Sequence, residues 1–341
     1  MKIVIVGYVN KENPSGPGSV INSLLNGLND LDQKFEFINI NERTIRGKFK
    51  FLKRIMHLPF ERNIIVNVHT WGYKIPLIIL IMSYVNKGMT YFLTVHGISS
   101  YENQLNNIQM PQRRAKLEKI LYEKAPNVIF VSNYEKEIFC NNFNNKGNLY
   151  VVPNSLLNYK TALSPKNGFR CIYAGGYSKL KNPMECLKIY QLVLKRYPNA
   201  ELVMCGPVIN IELKNEVAES VKNVGLDGKV SVIEKVSKEK LEELYENSTF
   251  ILAPSKFDTF NMTVLEAMNN GCIPIISRTC GIKDLLGNNC GIVYDKTDEI
   301  VDKLRNMNIS AQSQQCFDLS IEYTYLEMTK RYITFFGVEN E

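Results

Sequence analysis

Phe250-Ile251-Leu252-Ala253-Pro254-Ser255-Lys256-Phe257-Asp258-Thr259-Phe260-Asn261-Met262-Thr263-Val264-Leu265-Glu266-Ala267-Met268 decides the fold. Its first four residues are all apolar, the mark of a parallel strand covered on both faces. A short loop with Pro254 follows, and Val264, Leu265 and Met268 then fall on the buried side of a helix. Strand, loop and helix make half of a βαβ unit. Asp258 stands in the loop and Glu266 about two turns into the helix. Glu266 lies among apolar neighbours and needs a partner or a ligand hydroxyl, because an unpaired buried carboxylate is costly. A capped core helix explains the apolar residues but not Glu266. A carboxylate accepting from vicinal ribose hydroxyls explains it. The helix start beside Thr259 to Met262 offers free N–H groups to a diphosphate.

The same alternation extends in both directions. Lys2 to Gly7, Phe35 to Ile40, Ile64 to Val68, Thr90 to Val95, Asn127 to Val131 and Leu149 to Val152 read as strands with helices between most of them. Phe169 to Ala174, Ala200 to Cys205, Val230 to Ile233, Ile273 to Ile276 and Gly291 to Tyr294 continue the series beyond a polar linker, Pro153 to Gly168. This predicts an α/β protein of two doubly wound domains facing across a cleft: 1–160, 161–319, and a final helical segment 320–341 expected to cross back to the first domain. A chain of 341 residues suits two hydrophobic cores. Ligands of such sheets bind beyond the carboxyl ends of the strands, so the residues there carry the functional reading.

Composition narrows the classes. The longest apolar run, Ile75 to Val85, is too short to span a bilayer and is expected to be a buried helix. No secretory leader is expected, because the apolar run at Ile3 to Val6 stops at Gly7. The eight cysteines include no C-x-x-C pair and read as reduced, buried thiols of a cytoplasmic protein. Only three histidines occur, His57, His69 and His96, so no metal site is expected. The net charge of +7 is uneven: residues 1–160 carry 20 Lys+Arg against 11 Asp+Glu (+9), and residues 161–341 carry 21 against 23 (−2). Arg43 to Arg62 holds much of the excess, with Phe49, Leu52, Ile55 and Met56 at helical spacing. That segment is either an amphipathic helix packed on its own domain or an interfacial patch for anionic lipid. Nucleic acid is not expected, since no aromatic stacking platform accompanies the charge.

Two further turns follow strands. Ser15-Gly16-Pro17-Gly18-Ser19 reads either as a tight strand-to-helix turn or as a place where backbone approaches a phosphate. It is neither the dinucleotide fingerprint nor a Walker loop. Ala174-Gly175-Gly176-Tyr177-Ser178-Lys179-Leu180-Lys181-Asn182-Pro183 brings Lys181 to the carboxyl end of the second domain's first strand, where its charge suits a phosphate.

With these residues in place, the chain resembles the retaining GT-B glycosyltransferases called group 1. Pro153-Asn154-Ser155 resembles the family's interdomain P-N-G, Val131-Ser132 its V-S before a helix, and Met204-Cys205-Gly206-Pro207 its G-x-G-P turn. Asp258 to Glu266 resembles its E-x7-E element, and Gly271-Cys272-Ile273-Pro274 the strand that follows. The resemblance implies two Rossmann-like domains and a nucleoside-diphosphate sugar as donor, with no bound cofactor. It implies a glycan or lipid-linked acceptor, a task in cell-surface polysaccharide biosynthesis, and a cytoplasmic enzyme peripheral to the inner membrane face. It places Gly16 and Gly18 beside the donor phosphates, His96 near the transferred sugar, Lys181 on the phosphate and Glu266 on the ribose. Asp258 falls where the family's first glutamate meets the donor sugar, with Asn261, Met262 and Thr263 on the donor. His96, Lys181 and Asp258 are thus the expected catalytic residues. Three positions depart from the pattern: Gly176 replaces an arginine, Asp258 a glutamate and Asn261 a common glycine. The alternatives are a sugar-nucleotide epimerase of the same architecture and a non-catalytic sugar-nucleotide or glycan-binding subunit.

Overall fold

The computed structural model describes residues 1–10, 16–40, 45–70, 72–163, 166, 169–287 and 290–338. It divides into two units, Met1–Leu157 with Tyr323–Glu341, and Asn158–Glu322. The chain therefore changes unit at 157/158 and 322/323.

The first unit is built on β1 (Lys2–Gly7), β2 (Phe35–Asn39), β3 (Ile64–His69), β4 (Met89–Thr94), β5 (Asn127–Phe130) and β6 (Asn148–Val151). They pair in the order β2-β1-β3-β4-β5-β6, with every ladder parallel. Six of six residues in β3 are buried, polar Asn67 and His69 included, as in a strand covered on both faces. The second unit holds β7 (Arg170–Ala174), β8 (Glu201–Cys205), β9 (Val230–Val232), β10 (Phe250–Ala253), β11 (Ile273–Ser277) and β12 (Ile292–Tyr294). Its order is β12-β11-β10-β7-β8-β9, again all parallel. Counted within the unit, that is 3-2-1-4-5-6, the order of a dinucleotide-binding sheet; the first unit has the flavodoxin-like start 2-1-3. The chain has the α/β, doubly wound two-domain fold expected from its sequence. Each order reverses beside a first strand, between β1 and β3 and between β7 and β10, and the crevice at each reversal is where ligands bind.

The helix Ile309–Ser320 ends in the second unit, and a second helix, Tyr325–Phe336, makes the tail and belongs to the first unit. Thr324 caps the second helix, its hydroxyl accepting from the Glu327 N–H. Met328, Tyr332, Ile333 and Phe336 enter the core beside Val20, Leu24 and Leu28 of the helix Gly16–Asp30. The fit is close at Gly27, where a Cβ would stand 2.0 Å from Thr329 Oγ1.

Two expectations change. The apolar run in the helix Lys74–Val85 is not buried all round: Pro76, Leu77, Ile79 and Leu80 are covered, while Ile78, Ile81, Tyr84 and Val85 face outward. A helix laid on a sheet covers one face only, and polar residues simply do not occupy the other. In the helix Ile45–His57, Ile55 is buried but Phe49, Leu52 and Met56 are exposed. Packing on its own domain therefore does not account for that apolar stripe. All eight cysteines are free, and all but Cys140 are buried.

Candidate functional site

The second unit places its charged candidates on both sides of its reversal point. After β7, the turn closes on its own amides: Ser178 N–H donates to Gly176 O at 2.9 Å, Lys181 N–H to Ser178 Oγ at 3.3 Å, and Asn182 N–H to Ser178 O at 3.1 Å. The next helix, Pro183–Arg196, begins with a residue that has no N–H. Main-chain donors are thus largely spent here, and the turn's charge is carried by exposed Lys179 and by the Lys181 ammonium. That ammonium meets the Asp258 carboxylate from the turn after β10. The two turns are further joined by Lys256 N–H donating to Leu180 O at 2.7 Å.

The β10 turn is built differently. Asp258 N–H donates to Thr279 O (3.1 Å), and Gly281 and Ile282 N–H donate to Asp258 O and Phe260 O (both 2.8 Å), so the segment after β11 braces it. Asn261 adopts φ 78°, ψ 79° before the helix Met262–Met268, and Asn182 adopts φ 52°, ψ 55° before its helix. Asparagine is among the few residues that enter this left-handed region readily, which explains how Asn261 serves where glycine is common. Among the described residues no acceptor stands against the N–H groups of Asn261, Met262 and Thr263. Three consecutive free donors suit an anion. Thr263 Oγ1 donates to Asn261 Oδ1 at 2.7 Å and fixes that side chain. The helix itself has only seven residues, so its contribution is these amides more than a long macrodipole.

Glu266 is part-buried on that helix; its main-chain oxygen accepts from Asn270 Nδ2 at 3.1 Å, while its carboxyl has no hydrogen-bond partner among the described residues. Burial pushes its pKa up to about 7, with Lys238 pulling it back and Glu242 adding to the rise. A carboxyl held this way gains from any ligand that donates hydroxyls to it.

Gly176 lies where β7 meets the turn after β8. A Cβ on Gly206 would stand 2.0 Å from Gly175 O, so those two turns touch backbone to backbone. A Cβ on Gly176 would meet only the Ile209 Cδ1 tip closely, at 2.9 Å. Lys179 and Lys256 are both exposed.

In the first unit, Gly16 and Gly18 lie inside the first turn of the helix Gly16–Asp30, not in a loop before a helix at Ser19 as expected. Residues 11–15, including Ser15, lie outside the described residues. A Cβ on Gly16 would meet nothing within 4 Å, whereas one on Gly7 would stand 2.5 Å from Ile21 Cδ1. The glycine that permits close packing of strand and helix is therefore Gly7. His96 follows β4 and is not alone: its Nε2 is 2.8 Å from Nδ1 of His69. Sequence reasoning missed His69, although its place as the last residue of an apolar strand was a usable signal.

Residues 158–315 match the family described as Glycosyl transferases group 1. An uncharacterized glycosyltransferase, YqgM, of Bacillus subtilis is 21% identical over 216 residues, which is 63% of this chain and 58% of the relative. The GDP-mannose:cellobiosyl-diphosphopolyprenol alpha-mannosyltransferase of Xanthomonas oryzae is 30% identical over 110 residues, 32% of this chain and 29% of that enzyme. The chain thus spans less than two thirds of these relatives. Among solved structures, Anabaena HepE in complex with UDP and glucose superposes with a TM-score of 0.70 at 13% identity, covering 99% of this chain and 100% of HepE. Sucrose-phosphate synthase of Thermosynechococcus elongatus gives 0.72 at 14% identity, over 99% and 100%. These likenesses are to GT-B proteins and show the fold.

Proposed function

We propose that this chain, whose residues 158–315 match the group 1 glycosyltransferases, transfers a sugar, with retention, from a nucleoside-diphosphate sugar to a glycan or lipid-linked acceptor. The observation that carries the reading is the pairing of Lys181 with Asp258 across the reversal point, beside the free amides of Asn261 to Thr263 and the unpartnered Glu266 carboxyl. Glu266 accepts from the ribose hydroxyls. The amides and Lys181 take the diphosphate, and Asp258, released from Lys181, turns to the sugar. The negative charge that develops on the leaving diphosphate then meets fixed donors, and no metal ion is required. The donor's own phosphate oxygen takes the acceptor proton as the new bond forms on the same face. A relative named for GDP-mannose and a structural neighbour solved with UDP agree with a nucleoside-diphosphate donor and leave its base open. Turnover against a panel of nucleotide sugars tests the proposal. Transfer with the donor's anomeric configuration kept, in EDTA, is the expected result. Binding without turnover favours a non-catalytic subunit, and donor isomerisation without transfer favours an epimerase.

The reading extends to surface-polysaccharide assembly at an anionic membrane face. Helices Ile45–His57 and Lys74–Val85 both pack against the short turn Leu58–Phe60. Each presents apolar residues at the same spacing, Phe49, Leu52 and Met56 on one and Ile78, Ile81 and Val85 on the other, with Phe60 82% exposed between them. Between Arg43 and Tyr101 the only acidic residue is Glu61, and it is bound to Arg54 and Lys2. Lys48, Lys50 and Lys53 are exposed. Each basic group near an anionic surface adds about 1 kcal/mol, enough together for reversible attachment. No helix among the described residues is long and apolar enough to cross a membrane. Co-sedimentation with anionic vesicles is expected at low salt and lost in Lys48→Glu/Lys50→Glu/Lys53→Glu. Equal sedimentation with neutral vesicles removes the membrane from the reading.

A further inference from the structure

His69 ends β3 opposite Thr94 of β4, and His96 stands two residues beyond Thr94 on the same face. The rings stack with centroids 5.1 Å apart and planes at 19°, and the Tyr332 ring lies 6.4 Å from that of His69. The 2.8 Å contact from His69 Nδ1 to His96 Nε2 holds one proton when both rings are neutral. Both are neutral: burial pushes His96 down to about 4, and burial, then the neighbouring His96, pushes His69 well below its ordinary value.

Two arrangements satisfy that contact. If His96 donates, His69 carries its proton on Nε2, which is buried with no partner in the protein. If His69 donates, its Nε2 is a bare lone pair and His96 carries its proton on Nδ1. A buried unpaired N–H is rarer and costlier than an unpaired acceptor, so the second arrangement is favoured. His96 Nδ1 has no partner among the described residues, and the residue is part-exposed. We propose that His69 is a positioning residue that holds His96 in the neutral tautomer protonated on Nδ1, so that His96 offers a ligand an N–H donor and not a base. The ligand's identity rests on the transfer reading above, under which the accepting oxygen belongs to the transferred sugar. The tautomer does not rest on that reading.

With three histidines in the chain, ring-¹⁵N-labelled spectra contain three imidazoles, and exposed His57 serves as the internal reference. The expected wild-type spectrum has His96 protonated on Nδ1. His69→Phe keeps a stacked ring but no nitrogen. It is expected to move His96 toward the Nε2-protonated form common in water, and to lower kcat by up to about 100-fold with a smaller change in donor KM. His69→Gln keeps an N–H donor and is expected to recover most of both. A wild-type His96 protonated on Nε2 overturns the proposal. So does a His69→Phe enzyme whose tautomer switches while kcat stays unchanged. If His69→Phe fails to fold, the wild-type spectrum and the His69→Gln rates still decide. If the wild-type protein transfers no sugar, its spectrum alone does.

Discussion

The two sheets are built alike, yet what stands at their reversal points differs in kind. In the first unit the strand ends carry glycines and two histidines kept neutral by burial. In the second they carry an ammonium, a carboxylate paired with it, and a carboxyl whose proton is held up to about pH 7. This is the reverse of the bulk charge, because the half rich in Lys and Arg is the first. Much of its positive charge sits on the helix Ile45–His57 and not on the turns that follow its strands, while the slightly acidic half holds the Asp258-paired cation at the site. The net charge of a domain describes what its surface meets, and the strand ends describe what its site holds.

The largest test of that contrast is Lys181→Ala. Removing the strand-end cation paired with Asp258 is expected to lower kcat by about 10²–10³, or 2.7–4 kcal/mol. A part-exposed ion pair contributes roughly 1 kcal/mol or less to stability, so the melting temperature is expected to move little. Parallel kinetics and melting of Lys181→Ala and His96→Ala check it. Near-wild-type kcat in Lys181→Ala beside a large loss in His96→Ala would erase the role given to the second unit's charge.

Acid stability separates the units next. Unfolded histidine protonates near pH 6.5, whereas folded His96 does so near 4. The unfolded chain therefore binds the extra proton between those values, and stability falls as pH drops through that window, by up to about 3 kcal/mol for His96 alone. Glu266 acts in the opposite sense. Its folded pKa of about 7 lies above the ordinary 4.5, so the folded state binds more protons between the two and stability falls as pH rises there. Urea midpoints from pH 4 to 8 are expected to show the steeper acid loss in Glu266→Gln, where the opposing group is gone. Superimposable pH profiles of the two proteins would contradict this.

Glu266→Gln sharpens the same point at neutral pH. Removing a carboxyl that burial disfavours is expected to stabilise the unliganded protein at pH 8 by about 1–3 kcal/mol. The same change weakens donor binding by roughly 1.5–3 kcal/mol. Calorimetric melting and donor titration are to be read together, because a variant that loses stability and keeps affinity would return Glu266 to the core.

The smallest effect tests packing. Gly27→Ala places a methyl against Thr329 and is expected to cost roughly 1–3 kcal/mol in chemical denaturation, with kcat at saturating donor unchanged. Gly16→Ala, open on all sides, is the control and is expected to leave stability nearly unaltered.

Nearly every strand was legible from its apolar run, to within one or two residues, because a strand covered on both faces cannot hide among polar residues. The turns after β7 and β10 were legible for the same reason, since a strand's end points to its own loop. What was not legible depends on distant neighbours. The Lys181–Asp258 contact joins two turns 77 residues apart, and the His69–His96 contact requires that β3 and β4 pair in register. An unbroken run such as Ile75 to Val85 gives no sign of which face will stay bare. Gly16 and Gly18 looked like a loop because glycine disfavours helix interiors, yet a first turn tolerates them.

The helix Tyr325–Phe336 has a consequence for the order in which the chain folds. The second unit is one uninterrupted stretch of sequence, and every residue of its core has been synthesised before Tyr325 is made. The first unit is split. Val20, Leu24 and Leu28 wait on Met328, Tyr332 and Ile333, roughly three hundred residues downstream, and the closing contact from Tyr325 to Asp30 spans 295. During synthesis at about 5–20 residues per second, the oldest part of the chain therefore keeps an apolar helix face open for some 15 seconds or more while the younger part folds. The apolar face left open longest during synthesis is thus that of the helix Gly16–Asp30, and Tyr325–Phe336 is what closes it.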